Sequence, residues 1–349
     1  MRRTTAAALV AAALAAPAFA QPSPPLPRTE FNVVGTIGTL SMYQNIEVPF
    51  WTRTIPEVSG GAIRVQLRPF TELGFRGPEI FRLVSQGTLP VASTVLNYNS
   101  GEVPINEAAD LVGLFGSVEE LKRGLDAIRG PYAQFLEQRH GIKLLGFGTY
   151  QAQLIYCRDA FSQISDLRGR KIRASGASQQ AFVQFLGASP VTIAFAEVQP
   201  ALASGVVDCG ITGALSGYRA RWHEAARFLS PLPINFAVVG HLANLRFWNG
   251  LDPRVRDLLE RELRKMEEAI FEQAKSETEI GIACNTGTAP CPDGQPAAMR
   301  LVPLTPADEA RRKRAFEEAV LPEFARRCGG DCIQMWNDTI GRLVGVTAR

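Results

Sequence analysis

An α/β fold of two lobes is what this sequence predicts, on three observations. Strand-like and helix-like segments alternate through the first two thirds of the chain, as in layered α/β proteins with largely parallel strands. At roughly 100–200 residues per domain, 349 residues require two substantial cores. With 46% hydrophobic and 20% charged residues and a mean hydropathy near zero, the composition is ordinary for a globular protein. It excludes a disordered, collagen-like or multi-span membrane chain.

Residues 1–20, MRRTTAAALVAAALAAPAFA, read as a secretory signal peptide. Arg2 and Arg3 supply the positive start, and an apolar run over 6–16 follows. That run is too short for a bilayer, which needs about 20 residues. Ala18-Phe19-Ala20 gives the cleavage pattern before Gln21, so a free, exported product is expected. Losing the two arginines takes the formal charge from +3 to +1. No basic stripe is visible, and nucleic acid is not an expected partner.

Past a Pro-rich arm at 21–27, residues 31–35 form a first strand and 42–55 a helix. Residues 63–67, IRVQL, alternate apolar and polar as a half-buried strand does. Residues 78–86 are helical and stop at Gly87, and 89–95 return as a strand. The middle repeats this rhythm, with strands at 142–148 and 154–157 and a link between them at 150–153. A short strand at 171–174 runs into Ser175-Gly-Ala-Ser178 and an apolar helix over 179–186. Ser175 or Ser178 is expected to cap that helix, leaving free backbone N–H groups just beyond Arg173. A strand at 191–193, a helix at 197–204 stopped by Gly205, and a strand at 206–211 follow.

The last third is helical. Asp252-Pro253 places an N-cap and an N1 proline before Val255, Leu258, Leu259, Leu263, Met266 and Ile270. That spacing predicts one long amphipathic helix reaching residue 279. A Gly- and Pro-rich loop covers 284–303, and Thr305-Pro306-Ala-Asp308 opens a further helix ending near 327.

The six cysteines are an even number in an exported chain, which favours structural disulfides. Cys284 with Cys291 and Cys328 with Cys332 are each close enough to shut a small loop, leaving Cys157 and Cys209 as a long-range pair. Six cysteines nevertheless admit fifteen pairings. Cys328-Gly-Gly-Asp-Cys332 has no second matching pair or nearby His, so zinc is not expected.

Catalytic signatures are missing. No two of His140, His223 and His241 have metal-ligand spacing, and His223-Glu224 lacks a second His four residues on. Gly213-Ala-Leu-Ser-Gly217 places its serine one position too late for a nucleophile elbow. Gly35-Thr-Ile-Gly38 has the wrong spacing for a dinucleotide or phosphate loop. No enzyme activity, cofactor or metal is expected.

Four segments occur in a telling order: Asp166-Leu-Arg-Gly-Arg-Lys-Ile-Arg173, Leu186-Gly-Ala-Ser-Pro190, Phe195-Ala-Glu-Val198 and Ala201-Leu-Ala-Ser-Gly-Val-Val-Asp208. Gly60-Gly, Leu73-Gly74, Gly87-Thr-Leu and Phe247-Trp248-Asn-Gly-Leu251 accompany them. Together they resemble the DctP-type solute-binding proteins of tripartite ATP-independent periplasmic (TRAP) transporters over most of residues 31–280. The resemblance implies a two-lobed fold with hinge strands and a long lobe-bridging helix, closing on a ligand in the cleft. Lobe I would be residues 28–150 with 240–278, and lobe II 151–239 with 279–349.

The resemblance also implies a site. Arg173 ends the K-I-R segment, and in the family that arginine binds a ligand carboxylate. Chemically this is apt, because a guanidinium fork matches a carboxylate with two hydrogen bonds. Phe195 occupies the position that packs on the ligand. Where many dicarboxylate and acidic-sugar binders have a second arginine, this chain has Gln151-Ala-Gln153, and Thr212 replaces a family asparagine. Gln153 and Thr212 carry no charge, so a monocarboxylate with a more apolar remainder is expected. Tyr98, Tyr150 and Phe236 are candidates to line the pocket against an aromatic or branched acid. Thr36 and Asn97, at strand ends, are further candidates. The function implied is a periplasmic receptor, monomeric, that passes an organic acid to TRAP membrane subunits. A receptor serving a sensor or another transporter class, and a secreted enzyme acting on an organic acid, are the alternatives.

Overall fold

The computed structural model describes residues 24–349, so the signal peptide at 1–20 lies outside the described residues. Two sheets form the frame. The first has the order β2-β1-β3-β10-β4, from Thr29–Gly35 (β1), Ile63–Pro69 (β2), Val91–Val95 (β3), Ile142–Thr149 (β4) and Val238–Asn244 (β10). The second has the order β11-β9-β5-β8-β6-β7. It uses Gln153–Cys157 (β5), Lys171–Arg173 (β6), Ser189–Val191 (β7), Cys209–Gly213 (β8), Phe228–Ser230 (β9) and Arg300–Leu301 (β11). The two-lobed α/β expectation holds.

The sheets are mixed rather than largely parallel. β1 pairs parallel with β2 and β3, and β6 with β7 and β8. β10, however, runs antiparallel to both β3 and β4, and β5 antiparallel to β8 and β9. The reason is topological: β4 leads into β5, and β9 into β10, so the chain leaves one sheet and enters the other without a helical return. Those two crossings, 150–152 and 231–237, are the connections on which the lobes can turn.

Sequence periodicity misses the 18-residue helix Val118–Phe135, which carries Pro131 in its interior. Its start is nevertheless marked, because Ser117 accepts the N–H of Glu120 at 3.2 Å. Residues 42–58 are helical throughout, with widened turns over Met42–Glu47 and Phe50–Thr54. The helix Ala177–Phe185 begins two residues earlier than expected, and β8 begins three residues later.

The long helix Pro253–Thr286 has 34 residues and outruns the sequence expectation by almost two turns. It is bonded to both lobes. Its Glu267 accepts the Phe147 N–H of β4 at 3.0 Å, and Thr278 Oγ1 accepts the N–H of Ala152 in the first crossing at 3.0 Å. Asn285 donates to the Ala214 carbonyl of the second lobe at 2.9 Å. Only glycine fits at 281, where a Cβ would run into the backbone of Ala214 and Leu215. The second crossing is pinned by buried Asp110, which accepts the N–H groups of Phe236 and Ala237 at 2.8 Å each. Ala237 there is held at φ 59°, a left-handed conformation that a non-glycine residue adopts only under such restraint.

Three disulfides are present: Cys157–Cys209, Cys284–Cys291 and Cys328–Cys332. The first joins facing residues of β5 and β8 and spans 52 residues of sequence. By loop entropy it contributes the most, about 4 kcal/mol. Near the C-terminus, Arg312 donates to the Phe115 carbonyl and the Trp336 indole to the Ala108 carbonyl, so helices after residue 305 clasp the segment that precedes Val118–Phe135.

One buried group in the first lobe makes stability depend on pH. His241 lies between Ser93, whose Oγ is 2.8 Å from Nδ1, and Glu47, 3.7 Å away. Burial lowers its pKa to about 4. At this site the unfolded chain binds a proton that the native one refuses between about pH 6.5 and 4. The His241 contribution to stability therefore falls as pH drops through that window. The buried carboxyls of Asp110 and Glu47, whose pKa burial raises, act in the opposite sense. Urea unfolding of the wild type against His241→Gln from pH 7 to 4.5 should show the wild type losing stability relative to the variant. An unchanged acid limb in the variant would contradict the assignment.

Candidate ligand-binding site

The centre of the site is set by β6, a three-residue strand between β7 and β8. Its Ile172 is fully buried in the core, and the next residue, Arg173, is only 2% exposed. The Arg173 guanidinium is aimed by two carbonyls, with Nε donating to Ile193 at 3.1 Å and Nη1 to Ile211 at 2.9 Å. Among the described residues no carboxylate pairs with it. Burial pushes its pKa down, and the only group opposing that shift is the phenol of Tyr98 from the first lobe. A guanidinium stays protonated regardless, so the cleft holds a buried cation without a counter-ion.

A small enclosed cavity, about 20 Å³, lies beside it. Its walls come from Ile37, Leu40, Val95 and Tyr98 of the first lobe, from Tyr150 and Ala237 of the crossings, and from Gln153, Arg173, Ser175, Phe195, Thr212 and Ser216 of the second lobe. Arg173 is the single charged group among them. Phe195 leans on Trp222, ring centres 5.8 Å apart, which fixes its ring as an apolar wall.

Six of the nine residues singled out from sequence thus meet here: Arg173, Gln153, Phe195, Thr212, Tyr150 and Tyr98. The other three face other work. Thr36 gives both its N–H and its hydroxyl to Glu47, at 2.8 and 2.7 Å. Asn97 donates to Ser175 at 3.2 Å across the lobes. Phe236 contributes through its backbone, with its N–H on Asp110. Ser216 lies in the Gly213–Gly217 segment whose catalytic reading failed. Gln151, in the segment where relatives carry a second arginine, is wholly buried. In the amide orientation that satisfies its neighbours, it accepts the N–H groups of Leu215 and Ser216, each at 2.8 Å. A helix-capping amide stands there in place of a charge.

The model of the bacterial extracellular solute-binding proteins, family 7 (DctP), matches residues 35–326. The chain belongs to this family. It is 24% identical to the C4-dicarboxylate-binding periplasmic protein DctP of Rhodobacter capsulatus over 281 residues, 79% of this chain and 80% of that protein. Its fold superposes with a TM-score of 0.78 on DctP7, a Bordetella pertussis extracytoplasmic solute receptor binding pyroglutamic acid, at 21% identity, covering 88% of this chain and 98% of that one. A TRAP periplasmic solute-binding protein from Rhodoferax ferrireducens with bound malonate gives 0.79 at 19% identity, covering 90% and 97%. DctP-family proteins are TRAP solute-binding proteins of the periplasm, not enzymes, and among the described residues no helix is long and apolar enough to cross a membrane.

In this DctP-family chain the helix start beside Arg173 is not free for a ligand, contrary to the expectation from Ser175 and Ser178. Gly176 stands at the N-cap. The Ala177 N–H goes to Ser100 Oγ at 3.0 Å and the Ser178 N–H to Glu107 at 2.9 Å, both from the segment after β3. Ser178 Oγ in turn accepts the Val112 N–H at 2.7 Å. A Cβ at 176 would lie 2.8 Å from the Asn97 carbonyl, so glycine permits the close approach. A protein carboxylate therefore serves the helix N-terminus, where an anion is favoured. Glu107 is fully buried, and its other oxygen pairs with Arg327. Removing it leaves the Ser178 N–H unpaired and Arg327 with only the Ser100 carbonyl and the partly exposed Glu323. Glu107→Ala should cost about 3–5 kcal/mol of unfolding free energy in urea titrations. A loss below about 1 kcal/mol would show that the pair is not structural.

Proposed function

We propose that this DctP-family protein is a monomeric periplasmic receptor that captures a small organic monocarboxylate on Arg173 and delivers it to TRAP membrane subunits. The observation that carries the reading is the buried guanidinium without a carboxylate partner. A buried charge without a counter-ion is costly, so an anion entering this cleft offsets that cost with an ion pair and shared hydrogen bonds. Once the lobes close, exclusion of water strengthens that attraction.

The rest of the cavity favours one carboxylate over two. Gln153, Ser175, Thr212 and Ser216 line it with polar but uncharged groups, and Ile37, Leu40, Val95 and Phe195 offer apolar contact. A second buried carboxylate would find no cation there. At about 20 Å³ the cavity has room for about one water, so an acid enters only as the lobes part. Structural neighbours with pyroglutamic acid and malonate support an organic acid of modest size. Turning at 150–152 and 231–237 would open the site, and closure would present a joined surface to the membrane partner.

A thermal-shift panel of mono-, di- and keto-acids should rank compact monocarboxylates highest. For the best of them, Arg173→Ala should weaken calorimetric affinity roughly thirtyfold or more, since truncating one partner of a buried charge pair costs about 2–5 kcal/mol. Unchanged affinity in a folded variant would overturn the assignment.

A further inference from the structure

We propose that the Tyr150 hydroxyl reads a second, neutral polar group on the ligand, making the receptor selective for monocarboxylates that carry a hydroxyl, keto or amide function over plain hydrocarbon acids. This deepens the reading above and rests on Arg173 holding the carboxylate. Tyr150 stands in the first crossing, is 4% exposed, and lines the cavity. By hydrogen-bond geometry its hydroxyl has no partner within the protein. The Thr36 hydroxyl and the Ile37 N–H lie near enough to act on its oxygen, which leaves its proton free to donate. Several neighbouring polar groups are already committed. Thr36 is spent on Glu47, and Gln153 Nε2 donates to the Gln151 carbonyl at 3.1 Å. Ser175 Oγ donates to Gln179 and accepts from Asn97.

A buried hydroxyl left unpaired is costly, and a ligand atom that pairs with it recovers that cost. Sites built around such a hydrogen bond reject analogues lacking the partner more strongly than apolar pockets reject a change of size. Burial also raises the phenol's pKa, which keeps it neutral and able to donate. The hydroxyl can equally accept, so an N–H or O–H on the ligand serves as well as a carbonyl.

Calorimetry with matched acids on the full chain tests this: pyroglutamate against cyclopentanecarboxylate, and 3-methyl-2-oxobutyrate against 3-methylbutyrate. The wild type should prefer the polar member of at least one pair by about tenfold or more. Tyr150→Phe should reduce that preference to within about threefold by weakening the polar member alone. The inference is overturned if the wild type shows no preference, if the preference survives in Tyr150→Phe, or if both members weaken equally. Arg173→Ala in the same panel separates the two readings. If it abolishes binding of both members while Tyr150→Phe changes neither, only the present inference fails. If it leaves binding intact, or if no monocarboxylate binds the wild type, the carboxylate reading fails and this inference with it.

Discussion

A cation buried without a partner is the constraint around which this structure is arranged. Arg173 is held by two backbone carbonyls, and those partners satisfy hydrogen bonds but not charge. Such a group is tolerated in a protein interior only if the fold is stable enough elsewhere to bear it. Here the support is visible. The disulfide Cys157–Cys209 staples β5 to β8, the strand next to β6, and the long helix Pro253–Thr286 is bonded to both lobes. Ile193 and Ile211, which donate no side-chain chemistry, position the guanidinium through their backbone.

The two lobes are also joined by contacts at the cavity edge and beyond it. Glu107, Ser100 and Asn97 reach the start of the helix Ala177–Phe185. At the rim, Arg76 approaches Glu197 at 3.2 Å, and Arg219, paired with Asp293 of the disulfide loop, reaches Gln44 at 3.2 Å. The Arg76–Glu197 pair is solvated and contributes little energy, whereas Arg219–Asp293 is mostly buried and, with the Glu107 contacts, sets orientation.

Much of this was legible in the chain. The K-I-R segment of the family resemblance marked Arg173, and the link at 150–153 holds Tyr150 and Gln153. Cysteine spacing suggested the three bridges now seen without deciding among fifteen pairings. Hydrogen bonds to partners far away in sequence were not legible. Asn97 meets Ser175 across 78 residues and Phe236 meets Asp110 across 126, and no local pattern encodes such pairings. The helix start beyond Arg173 looked free because Glu107 lies 71 residues before Ser178. Strand direction was misjudged for the same reason: β10 is inserted between β3 and β4 only after the chain has returned from the second lobe. The helix Val118–Phe135 was obscured locally, by an interior proline that sequence rules treat as a breaker.

The most direct measurement is a crystal structure of the protein with its tightest-binding acid in place. The account predicts one carboxylate within about 3 Å of the Arg173 guanidinium, inside closed lobes. A ligand seated elsewhere, or in the cleft with its carboxylate turned away from Arg173, would contradict it.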